Sequence, residues 1–161
     1  MKLVFVDQTG CLAALVAANY LLGRLSPEAR RSEIIKLPSF AEPIDQDNKL
    51  RLIGLDENGN SVYTLGVGAE AALIKTSSRD LLQIFQIKEK VCLLDFSRFN
   101  KGWHILVGKW TILPGLPGLA RNMAAAHLEA NSRHLFLELA VQLREMGLEY
   151  SYLDLSGDDQ G

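Results

Sequence analysis

The 161-residue sequence predicts an α/β fold, a layered single domain on a mainly parallel sheet with one antiparallel hairpin at about Leu50–Gly66. Three observations carry that prediction. The apolar runs within Lys2–Asp7 and Val91–Phe96 are short and continuous, as in strands covered on both faces. Helix-forming stretches alternate with them. Between them, "IGLDENGNSVYTLG" places Asn58-Gly59 between two strand-like runs, the strongest local hairpin signal in the chain.

The elements follow in order. Leu3, Val4, Phe5 and Val6 make the first strand. A polar turn, Asp7-Gln8-Thr9-Gly10, leads into a helix from about Gly10 to Leu22 that is apolar nearly all round and so needs cover on more than one side. Its Ala13, Ala14, Ala17 and Ala18 admit another backbone closely, and Gly23 is a stop signal. Ser26-Pro27-Glu28 reads as the start of a second helix, which ends before Pro38. Leu50–Leu55 and Ser61–Gly66 form the hairpin, with positive φ expected at both Asn58 and Gly59. A helix over at least Ser78–Gln86 precedes the strand Val91–Phe96. Arg121–Leu128 reads as a late strand. Asn131 or Ser132 then caps a helix to Met146, closed by Gly147, with Leu135, Leu139 and Leu143 at the helical period.

Residues 1–153 are expected to form the domain and 154–161 a flexible acidic tail. Seventeen basic and nineteen acidic residues give a net charge of −2, which offers neither a nucleic-acid footprint nor a polybasic membrane patch. No apolar stretch reaches the ~20 residues of a membrane span. Cys11 and Cys92 lack metal-type spacing and read as small buried hydrophobes, so a reducing cytoplasm is the expected home. No cofactor motif is present.

Ligands of open α/β sheets bind at the carboxyl ends of the strands. Asp7, Gln8, Thr9 and Gly10 form the first candidate segment. A phosphate cradle needs several converging N–H groups, usually supplied by several glycines, and this turn has one glycine and a carboxylate that would repel an anion. The second segment is Asp95–Lys101, where Arg98 and Lys101 are able to hold a small anion that Ser97 or Asn100 orients. His104, His127 and His134 are never at i, i+3 or i, i+4, so no helical metal pair is expected. The Trp103–Leu119 stretch, helix or loop, brings Trp103 and Trp110 into an apolar run suited to an interface.

"MKLVFVDQTGCLAALVAANYLLG", "KLPSF", "IGLDENGNSVYTLG" and, more faintly, "FSRFN" resemble an uncharacterised domain-of-unknown-function family of small proteins from spore-forming Firmicutes. The likeness is good over about Met1–Asn100 and loose beyond. It implies a first turn of Cys-Tyr-Gly-Gly-Thr-His-Ser-Ser, where this chain has Asp7 to Ala14 and keeps only Gly10. The first loop is therefore degenerate relative to the resemblance, which carries over no activity. Two functional expectations result. One is a non-catalytic protein-interaction or scaffold paralogue, acting as a homo-oligomer or with a sister chain. The other is a small-molecule or anion-binding enzyme with its site at the strand ends.

Overall fold

A computed structural model of the chain describes residues 1–42, 50–68, 90–100 and 117–148, with positions 77, 102 and 150. The expected helix Ser78–Gln86, Lys101, Trp103, Trp110 and the 154–161 tail lie outside the described residues, save position 77 before that helix.

In chain order the elements are β1 (Lys2–Asp7), α1 (Ala13–Leu21), α2 (Arg31–Ile35), β2 (Arg51–Leu55), β3 (Ser61–Gly66), β4 (Val91–Asp95), a 3-10 turn (Ser97–Asn100), α3 (Pro117–Ala130) and α4 (Ser132–Glu145). One four-stranded sheet runs β2-β3-β1-β4. β1 is parallel to β3 and to β4, while β2 is antiparallel to β3. The architecture is thus α/β, with a mainly parallel sheet and, among the described residues, one hairpin.

β-Strand side chains alternate between faces, and β1 sorts its residues accordingly. Leu3 and Phe5 face the main core with Val62, Cys92 and Leu94 of the flanking strands. Val4 and Val6 face the other way, where they meet Val67, Tyr63, Leu65 and Leu93. Every residue of α1 is buried, which fits its lack of a polar face. Its alanines let it lie on β1 and β3 while α4 packs against it, with Tyr20 meeting Phe136 edge-on at 5.7 Å. α2 rests on α3, tied by Arg121 Nη2 donating to the Ile35 carbonyl (2.6 Å) and by the Arg31 N–H donating to Glu129 (3.0 Å).

Four expectations are corrected. Arg121–Leu128 is the middle of α3, not a strand. Ala120, Ala124, Ala125 and Leu128 are its buried residues, a helical period in an alanine-rich window. Ser26-Pro27-Glu28 forms only a turn, closed by the Ala29 N–H on Ser26 O (2.9 Å). Arg30 is then extended and the helix starts at Arg31, with the Glu33 carboxylate accepting the Arg30 N–H at 2.8 Å. α1 begins at Ala13, three residues later than expected, because the loop N–H groups are bound to side chains. Asn131 does precede α4, but its side chain makes no cap and donates instead to the His127 carbonyl at 2.8 Å.

The hairpin forms where expected with a different turn. Gly59 has φ +74°, whereas Asn58 is not left-handed. The Gly59 N–H donates to Asp56 O and the Asp56 N–H to Asn60 O, both at 3.0 Å. That is a three-residue loop, a type I turn followed by a left-handed glycine. Asp56 organises it. Its carboxylate accepts the N–H groups of Asn58 (3.0 Å) and Asn60 (2.7 Å), the Asn60 amide (2.9 Å) and the Tyr150 hydroxyl (2.5 Å).

Candidate functional site

The chain leaves β1 toward β3 and then crosses to β4 on the other side, so the loops after β1 and β4 part at their shared boundary. A crevice at such a switch point is where doubly wound sheets take their ligands. Here the chain's own polar side chains fill it.

Asp7 is fully buried at the end of β1. Its Oδ1 accepts the N–H groups of Thr9 (2.6 Å) and Gly10 (2.5 Å) and the Thr9 hydroxyl (3.0 Å). Its Oδ2 reaches across the turn to the Ala14 N–H at the start of α1 (2.7 Å). A buried carboxylate is tolerated only when donors replace its lost water, and four donors do so here. The Cys11 N–H is taken by Thr9 Oγ1 (3.2 Å) and the Ala13 N–H by Asn100 Oδ1 (3.3 Å). Loop donors that a bound anion would use are thereby turned onto the chain itself.

The loop is also pressed against the end of β3. The Val67 N–H donates to Asp7 O (2.9 Å) and the Gly68 N–H to Gln8 O (3.1 Å). A Cβ on Gly10 would lie 2.6 Å from the Gly66 nitrogen, and one on Gly66 would lie 2.7 Å from the Thr9 carbonyl. Two glycines therefore make this backbone crossing possible.

On the β4 side, Gln8 Nε2 donates to Ser97 O at 2.8 Å. The Asp95 carboxylate accepts both the Ser97 N–H (2.9 Å) and the Ser97 hydroxyl (2.6 Å), so Asp95 caps the 3-10 turn. Gln142 of α4 clasps the Asp95 backbone, accepting its N–H and donating to its carbonyl, each at 2.9 Å. Asp7, Gln8, Thr9, Gly10, Ser97 and Asn100 are thus brought together. Arg98 is not: it ion-pairs with Glu138 of α4, its guanidinium carbon 4.9 Å from the Phe99 ring centre.

Cys11 lies inside the loop, yet burial pushes its thiol up to about 11, a rise the Thr9 hydrogen bond only partly offsets. It is no thiolate nucleophile at neutral pH. Cys92 is likewise buried and free. Among the described residues no cluster of three or more His, Cys, Asp or Glu is placed to hold a metal ion. No described helix is long and apolar enough to cross a membrane.

The sequence did not announce the meeting of His127 and His134. Seven residues apart, they sit in the last turn of α3 and the first turn of α4. Together with Arg98, Phe99 and Asn131 they line one groove of about 430 Å³. Reading Arg121–Leu128 as a strand hid this, since only a helix–corner–helix brings the two rings to one side.

Residues 2–142 match the family described as "protein of unknown function (DUF3189)". The chain belongs to that family. Searches of curated proteins and of solved structures found no match. Within this DUF3189 chain the matched span takes in β1 through most of α4, including the whole Asp7 loop and the Arg98–His134 groove. Tyr150, the partner of Asp56, lies beyond it.

Proposed function

We propose that this DUF3189 chain acts by protein association and performs no chemistry at its first loop. The observation that carries this reading is the Asp7 carboxylate, which accepts the donors a ligand would need. An association surface is at hand. Among the described residues β2 is an edge strand, and its Leu52 and Leu55, with the preceding Leu50, are all more than half exposed. Unpaired strand edges with apolar side chains favour pairing with another chain. The occupant proposed is a second copy, antiparallel across β2, with a sister chain that keeps the polar loop as the alternative partner. Trp103 and Trp110 remain proposed anchors of the same association. The two buried free thiols suit a reducing cytoplasm. The resemblance quoted above favours a spore-forming Firmicute as the host.

Light scattering at micromolar concentration tests this. The expected mass is that of a dimer, and Leu52→Lys should return it to monomer by placing a charge in the apolar row. A monomeric parent, both alone and mixed with a sister chain, would overturn the proposal.

A further inference from the structure

The anion site expected at Asp95–Lys101 rested on Arg98 and Lys101 together. Arg98 pairs with Glu138 of α4 and also lines a groove at the corner between α3 and α4. We infer that the groove lined by Arg98, Phe99, His127, Asn131 and His134 binds a phosphate-class anion, either inorganic phosphate or the phosphate of an organic ester.

Three elements converge there, and the described lining includes no carboxylate. Arg98 comes from the 3-10 turn, with its side chain 60% exposed and hence open to a ligand. The Phe99 ring beneath its guanidinium fixes its position by a cation–π contact. His127 Nε2 lies 3.0 Å from the Phe99 carbonyl. A carbonyl only accepts, so Nε2 carries the hydrogen and the ring is held in place. His134 is exposed in the groove's lining, in a first helical turn that has no acidic residue. The arginine fork, the His134 imidazole and the second amide hydrogen of Asn131 offer donors from three elements, while His127, its Nε2 hydrogen on the Phe99 carbonyl, forms part of the wall. An anion with three or more acceptor oxygens uses them more fully than a carboxylate does. The volume, about 430 Å³, falls within the range of small-molecule sites and leaves room for an organic group beside the phosphate.

The surroundings sort ligands by charge. The whole chain carries −2. On the other flank of Arg98, a hollow of about 280 Å³ is lined by Asp95, Glu138 and Glu145 and repels anions. Glu138 also competes for Arg98 through their ion pair. Its neutralisation should therefore strengthen binding, an effect that a purely structural role for Arg98 does not produce.

The test is NMR titration of the whole chain at neutral pH with inorganic phosphate, phenyl phosphate and acetate. It reads the same in monomer or dimer, so its failure leaves the pairing proposal standing. Expected are saturable shifts at 97–100 and 127–134, equal or tighter for the ester and much weaker for acetate. Arg98→Gln and His134→Gln should each weaken phosphate binding about ten-fold, and Glu138→Gln should tighten it about three-fold. Arg30→Gln, exposed and remote in sequence, should match the parent. Should a variant fail to fold, the parent's shift map decides. No saturable shift at ~20 mM phosphate, shifts centred elsewhere, or acetate binding as tightly as phosphate would overturn the inference.

Discussion

At Asp7 a charge that would ordinarily be excluded from the interior becomes the organiser of a loop. Removing it should leave its donors buried without an acceptor, and each such group costs about 1–3 kcal/mol. Asp7→Ala is therefore expected to lose about 3 kcal/mol or more, with Asp7→Asn intermediate because one oxygen remains; denaturant unfolding reads both. Phosphate or a nucleotide at millimolar concentration should leave the turn empty, and an ordered phosphate on the N–H groups of Gly10 and Cys11 in a soaked crystal would contradict this. Cys11 offers a second check. With its thiol raised to about 11 and buried, it should resist alkylation at pH 8 in the native protein and react once unfolded. The sequence made the poor quality of this turn as a phosphate cradle legible, through one glycine beside one carboxylate. It left the use of that carboxylate hidden, since an Asp two residues before a Thr-Gly is as readily a solvated turn as a buried acceptor.

Among the elements, the hairpin shows how a correct reading can rest on the wrong turn. Asn58-Gly59 located it, but the Asp56 carboxylate, accepting from Asn58 and Asn60, selected the longer loop in which only Gly59 needs positive φ. Gly59→Val should cost about 1 kcal/mol or more through backbone strain alone, because a Cβ there meets nothing within 4 Å. Gly66→Ala tests the opposite case, an ordinary φ with no space, and should cost about 2–3 kcal/mol. A thermal melt separates either from the parent. Burial opposes ionisation of Asp56, but the hydrogen bonds from Tyr150, Asn60 and Asn58 together outweigh it and hold the carboxyl below its usual range. A lowered folded value makes the contribution complete above the unfolded value of about 3.9 and lost as pH falls through the lower folded one. Asp56→Asn should therefore flatten the stability profile in that acid window, while Tyr150→Phe should shrink its amplitude.

For the molecule as a whole, the sequence revealed the layering because β1 and β4 are continuous apolar runs and α1 has no polar side. It missed α3, where alanines carry little hydrophobic contrast, and with it the corner that gathers His127, His134 and Arg98. Long-range partnerships such as Asp56 with Tyr150, 94 residues apart, leave no local pattern to read. The filled crevice at Asp7 has a consequence for how the protein responds to its surroundings. A carboxylate tethered two to seven residues from its donors acts at an effective concentration that intramolecular systems place many orders of magnitude above a free solute, up to ~10⁵ M or more. A diffusing anion at cellular levels cannot displace such an occupant by mass action. On the function proposed above, changes in metabolite supply pass this crevice unregistered, and reopening it starts with a change of residue 7.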